Sequence, residues 1–249
     1  MIGEPPPTQA DLHFRAFGVP VRVHPWFWII ALLLGLGGSE KADLLETVLW
    51  VAVVFFSILV HELGHAFVQR RYGGHPRITL YGMGGLATCD DCDRSPRSQI
   101  LISLAGPFAG FLLAGVTVLF LYVKGRLYGF HLALEPVAWK YFDPSYLLQH
   151  NRLSPRDALI EMLLWVNILW GVINLFPIYP LDGGRISREL FTLGNPREGI
   201  IRSLQLSIGT AALLAVWGFT RSSIYTAILF AYFAYGNYQT LRAYQNYRA

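Results

Sequence analysis

Apolar and polar positions along the 249-residue chain fall into long blocks, not into the short alternations of a water-soluble core. Apolar blocks cover residues 26–37, 44–68, 100–123, 159–177, 200–219 and 224–244. A helix needs about 20 apolar residues to cross a bilayer, so the first block is short and must start earlier, tilt or insert only in part. Glu161 falls in the fourth block, near its water-facing end. The pattern predicts an α-helical polytopic membrane protein with about six transmembrane helices. One stretch breaks it. In "PRITLYGMGGLATC", residues 76–89, Ile78 to Tyr81 favour strand and the glycines oppose a helix. Extended backbone at membrane depth must be buried in protein or line a cavity. The earlier "FRAFGVPVRVHP" alternates Val19, Val21 and Val23 and is a pairing partner for it.

Composition sharpens this picture. The chain is 53% hydrophobic and 14% charged, against about 25% charged in soluble domains. The net charge of +4 comes from basic residues lying between apolar blocks. That placement reads as topology signals and excludes a nucleic-acid surface. An even number of spans puts both termini on one side, together with thirteen of the twenty Lys and Arg residues. The positive-inside rule makes that side cytoplasmic. The N-terminus, with "GEPPPTQAD" and no basic run leading into an apolar core, is a poor signal peptide. The reading is one membrane-embedded unit over 1–249. It has an N-terminal segment at 1–24, a core at 44–194 and a C-terminal helical pair at 199–245, with no regulatory domain after residue 249.

Chemistry concentrates in "FFSILVHELGHAFVQRR". His61 and His65 are four residues apart, which puts both rings on one helix face within reach of one metal ion. Glu62 follows the first and can act as general base toward a water at that ion. The nine residues from His61 to Arg70 place His61 about 13 Å below the basic anchor in an upright helix. Ionisable groups at such depth are functional by default. The competing reading is a pair of interfacial histidines with Glu62 at the headgroups. Imidazole pairs suit zinc, and a catalytic zinc needs a third protein ligand and an open fourth position.

Asp182, in "NLFPIYPLDGGR", is the best candidate for that ligand. It follows an apolar block, and Pro177 and Pro180 forbid a continuous helix. Gly183 and Gly184 permit close backbone approach. The alternative is an ordinary aspartate N-cap for a helix starting at Gly183. One carboxylate ligand and an ionised Glu62 would bring a zinc site to about neutral, which lowers its desolvation cost.

These motifs together resemble the site-2 protease family, the intramembrane zinc metalloproteases of peptidase family M50. "HELGH" lies in one block, "SLAGP" at 103–107 in the next, and "NLFPIYPLDGGR" in a later one; "FGVPVRVHPWFW" and "GMGGLA" are similar to its compact bacterial branch. The resemblance covers most of residues 14–194. It implies that His61, His65 and Asp182 hold one zinc ion per chain, that Glu62 is the catalytic base, and that Asn174 contacts the substrate backbone or oxyanion. It also implies a transmembrane protein substrate, a multi-pass bacterial cell-membrane location and an active site toward the cytoplasm, with any regulatory membrane partner left unidentified. Where the family often has an asparagine soon after "AGP", this chain has Gly110.

The functional expectation is an intramembrane zinc metalloendopeptidase. Its rival is a non-proteolytic zinc-binding or metal-handling membrane protein of the same fold. A transporter would show inverted repeats or polar residues spread along a path. Cys89 and Cys92 in "CDDCD" read as two reduced thiols, with a redox-sensitive pair as the lesser alternative, and Asp90, Asp91 and Asp93 read as a solvated acidic loop. His24 is expected at the interface or facing the site. His13, His131 and His150 are expected in loops.

Overall fold

The computed structural model describes residues 4–36, 44–123 and 155–246. Lys41, His131, His150 and most of the opposing basic residues between the third and fourth apolar blocks lie outside them. The described residues are mostly helical, with a small mixed sheet. Strands β1 (Leu12–Ala16) and β2 (Val19–Val23) precede helices α1 (Pro25–Leu36) and α2 (Leu44–Arg71). Strands β3 (Arg77–Tyr81) and β4 (Gly84–Thr88) follow, then α3 (Pro96–Val123), α4 (Pro155–Asn174), α5 (Asp182–Gly194), α6 (Pro196–Thr220) and α7 (Ile224–Asn246).

Among the described residues, three helices are long and apolar enough to cross a membrane: α2, α3 and residues 198–220 of α6. The 28 residues of α2 span about 42 Å at 1.5 Å per residue. That exceeds a hydrocarbon core of about 30 Å. Helix α1 and residues 158–174 of α4 are shorter apolar helices. Exposed Leu112, Val116, Leu119 and Phe120 on α3, with Leu213, Val216 and Trp217 on α6, give these helices apolar outer faces. Such faces suit lipid.

The expected pairing of the two extended segments is present. The sheet order is β1-β2-β3-β4. Strand β2 runs parallel to β3, with Val21 opposite Ile78 and Val23 opposite Leu80. The period-2 alternation turns Val19, Val21, Val23, Ile78 and Leu80 inward, where they pack with Phe27, Ala31, Val53 and Ile58. Burying each such side chain contributes about 1.5–3 kcal/mol. The sheet is thereby fixed against α1 and α2. Among the described residues, strand β4 pairs with β3 alone and forms one edge.

His24 corrects an expectation. It is buried, its backbone N–H donates to the Leu80 carbonyl at 2.8 Å, and its Nδ1 accepts from the Trp26 N–H at 3.2 Å. It joins the sheet to the start of α1 and is not grouped with the three donors described below.

The reading of Cys89 and Cys92 as reduced thiols is also overturned: they form a disulfide. A Cβ on Gly74 would overlap both sulfurs, so this glycine lets the pair sit against the end of α2. The aspartates of that loop are exposed but engaged. Asp90 pairs with Arg77 at 2.7 Å and Asp91 with His75 at 2.6 Å, while Asp93 accepts from the Ser95 N–H at 3.0 Å. The His75 ring hydrogen bond, followed by the His75 backbone N–H, holds the Asp91 carboxyl below the usual carboxylate range.

Helices α2 and α3 meet through small residues. A Cβ on Gly64 would overlap the Ala105 carbonyl and lie 2.8 Å from the Ala109 Cβ. Gly115, further along α3, faces open space. An alanine in a helix gains up to about 1 kcal/mol over glycine where room exists. Overpacking costs about 1–3 kcal/mol. Gly115→Ala is therefore expected to raise the thermal unfolding midpoint in detergent and Gly64→Ala to lower it. Equal shifts would show that helix propensity, not helix contact, governs both positions.

Candidate metal centre

Two of the donors come from consecutive turns of α2 and the third from the first residue of α5. Asp182 Oδ2 lies 3.1 Å from His61 Nε2 and 3.4 Å from His65 Nε2. The two Nε2 atoms are 3.2 Å apart. All three residues are buried, at 3%, 5% and 5% exposure for His61, His65 and Asp182. Two ring nitrogens and a carboxylate oxygen in mutual contact, away from water, call for a cation among them. Zinc bonds of about 2.0–2.1 Å in a tetrahedron set ligand atoms about 3.3–3.4 Å apart, close to the spacing here. The residues fit a zinc ion.

The surroundings hold this arrangement. The Ile102 carbonyl accepts from His65 Nδ1 at 2.6 Å, which leaves Nε2 free as a donor to metal. Pro107, one residue beyond Gly106 in α3, removes a bond from the helix ladder at that level. A Cβ on Gly106 would overlap the His65 ring and approach His61 Nε2 to 2.7 Å, so α3 can pass the histidines only as bare backbone.

The N-cap alternative for Asp182 does not hold. Asp182 occupies the first turn of α5 itself, Leu181 takes the cap position without a side-chain cap bond, and the carboxylate is turned to the histidines. Helix α4 stops at Asn174, where Pro177 and Pro180 follow. Cβ atoms on Gly183 and Gly184 would overlap the backbones of Leu175 and Ile178, which explains the need for glycine at both places.

Glu62 is 4% exposed, and its side chain packs on Gly85 of β4, where a Cβ would overlap the carboxylate. Asn174 is 8% exposed and donates from Nδ2 to the Trp170 carbonyl of its own helix at 2.9 Å. It is not among the three donors.

Sequence reasoning missed two polar groups that position the site. Asn167 of α4, 2% exposed, donates to Ser57 Oγ at 2.9 Å, one turn before His61 on α2. Gly110 faces this asparagine: a Cβ there would sit 3.4 Å from the Asn167 carbonyl oxygen. The amide thus comes from α4 where α3 carries only glycine. In addition, Ser207 of α6 and Asn237 of α7 bond the turn before Asp182. The Tyr179 N–H donates to Ser207 Oγ at 3.1 Å, and Asn237 Nδ2 donates to the Tyr179 carbonyl at 2.6 Å. Both helices carry other polar residues, so their sequences alone do not single out Ser207 or Asn237.

A profile of Peptidase family M50 matches residues 49–216, well over half of the chain. The chain belongs to peptidase family M50. Among its M50 relatives, a zinc metalloprotease of Methanocaldococcus jannaschii is 26% identical over 204 residues, covering 82% of this chain and 51% of the relative. The stage IV sporulation protein FB of Bacillus subtilis is 28% identical over 200 residues, covering 79% and 57%. The chain spans about half the length of these relatives. Among solved structures, the site-2 protease from Methanocaldococcus jannaschii shares the fold, with a TM-score of 0.60 at 23% identity over 93% of this M50 chain and 95% of that one.

The Asn167–Ser57 bond carries a test. Asn167→Leu and Ser57→Ala should each lower stability, and the double variant should lose less than their sum. The expected coupling is about 0.5–1.5 kcal/mol, as for one buried hydrogen bond. It is read from unfolding in detergent, and strict additivity would show that the two side chains act independently.

Proposed function

We propose that this chain is an intramembrane zinc metalloendopeptidase that hydrolyses a peptide bond in or beside a transmembrane segment of a protein substrate. The observation that carries the reading is the convergence of His61, His65 and Asp182, with Glu62 on the same turn, inside an apolar helix assembly. The proposal extends to one zinc per chain and about six membrane passages in a bacterial cell membrane, with α1, α4 and α7 joining the three long apolar helices. It also places the active site on the cytoplasmic side.

Zinc, when bound, would polarise a carbonyl and make water acidic enough to attack near neutral pH. The remaining steps belong to the protein. Glu62 accepts the proton of the attacking water and delivers it to the leaving amine. Its burial against Gly85 limits its rotamers and keeps bulk water from the carboxylate. Asn174, at the end of α4, binds the substrate backbone or the developing oxyanion once its amide turns from Trp170. A substrate helix hides its carbonyls in internal bonds, so it must unwind first. The outer edge of β4, beside Glu62 and met by Gln69 at the Ala87 carbonyl, offers its remaining N–H and C=O groups, with which the unwound segment pairs as an added strand.

Two experiments bear on this. Purified protein should contain one zinc equivalent, depleted in His65→Ala and Asp182→Ala. Glu62→Gln should retain zinc yet lose cleavage by about 100- to 10,000-fold. Near-normal cleavage by Glu62→Gln would remove it from the mechanism, and full activity in the zinc-depleted variants would exclude metal catalysis. Substrates trapped by Glu62→Gln in native membranes supply the second test. Leucine in place of glycine or proline near the cleavage point should slow hydrolysis without abolishing binding, because it restores helix stability. Indifference to that change would fit an enzyme that cuts soluble loops.

A further inference from the structure

The cleft between the β1–β2 turn and the last turn of α2 has no part in the chemistry above. It has a volume of about 420 Å³ and is lined by Arg15, Arg70, His75 and Arg77 with Val19 and Pro20. The cations arrive from three directions: Arg15 from β1, Arg70 from the end of α2 and Arg77 from the start of β3. Acidic groups answer only part of this charge. Arg77 pairs with Asp90 at 2.7 Å and lies 3.9 Å from Glu4, and His75 is held by Asp91. The Arg15 side chain has no hydrogen bond or ion pair among the described residues. Arg70 donates from Nη1 to the Phe17 carbonyl at 2.9 Å and makes no ion pair among them. Two guanidinium forks on one cleft, both short of acceptors, suit the oxygens of a phosphate.

The rim says which phosphate. Phe17, at the turn between β1 and β2, has a φ of +50° and is 77% exposed. A left-handed backbone is uncommon for a bulky side chain, and a turn tip in water has no use for an aromatic ring. The Phe17 ring lies 5.9 Å from that of Phe67, itself 46% exposed on α2, three residues before Arg70. That is the level at which the apolar helix ends in its basic anchor. A free phosphate would satisfy the arginines and leave the two rings in water. An anionic lipid satisfies both, with its headgroup phosphate between Arg15 and Arg70 and its acyl region against Phe17 and Phe67. We propose that this cleft binds the headgroup phosphate of an anionic membrane lipid, with the β1–β2 turn dipping into the leaflet beside α2. The inference rests on membrane embedding and is independent of proteolysis.

The test uses the full chain in detergent, with native mass spectrometry reading lipid retention. Phosphatidylglycerol, phosphatidylcholine and inorganic phosphate are offered separately, and phosphatidylglycerol is also offered against excess inorganic phosphate. The expected result is retention of phosphatidylglycerol over phosphatidylcholine. Arg15→Gln should weaken it about tenfold, the loss of one charge-assisted interaction. Phe17→Ser should weaken the lipid and leave any phosphate signal unchanged. Arg221→Gln, at the far end of α6, should change nothing. Because the Arg15 side chain has no partner among the described residues, its replacement leaves folding intact, and unfolding midpoints verify this. Four results would overturn the proposal: equal retention of both lipids, full competition by inorganic phosphate, indifference to Arg15→Gln, or an equal loss in Arg221→Gln.

Discussion

Three polar donors brought into contact where water is scarce form the constraint on which this structure depends. His61, His65 and Asp182 lie within 3.4 Å of one another and are almost wholly buried. Without a cation their burial would cost several kcal/mol of desolvation. The neighbouring architecture is arranged to make the contact geometrically possible. Two donors need only one helix, α2. The third lies 121 residues away and needs an interrupted helix, a sharp turn and two glycines to arrive. A metal held by these donors would cross-link two distant parts of the core, and its binding energy would then also be folding energy.

A second layer of polar contacts distributes this requirement through the helices. Asn167 ties α4 to α2 through Ser57, and the Ile102 carbonyl of α3 fixes the His65 ring. Ser207 and Asn237 hold the turn before Asp182 from α6 and α7. Each is a polar side chain or carbonyl meeting another polar group between packed elements. Such pairs specify register, because a shift by one residue would leave both members unsatisfied in a low-dielectric setting. The C-terminal helix pair is thereby tied to the site although it supplies no ligand.

Much of this was legible in the residues, for identifiable reasons. The spacing of His61 and His65 depends only on helix geometry, and the proline and glycine punctuation around Asp182 depends only on backbone rules. Both are local. The pairing of β2 with β3 was visible because alternating valines in one segment matched an apolar strand in another. What escaped was relational. Nothing in the sequence alone says that Asn167 reaches Ser57, or that Gly110 stands opposite that amide. His24 looked like an interfacial or site-facing histidine because its type suggested chemistry; the structure uses its backbone N–H and ring nitrogen to start α1. Cys89 and Cys92 were read as separate thiols because the role of Gly74, fifteen positions earlier, could not be seen from their own spacing.

At several points around the donors the neighbour is bare main chain. Gly106 faces the histidine rings, Gly85 faces Glu62, and Gly64 seats α2 on α3. Glycine is already the smallest residue, so substitution at these points can narrow the space but never widen it. Any change that needs more room beside the donors must find it elsewhere, at positions that still have side chains to lose, such as Trp170, whose indole stands against Gly84 at the start of β4.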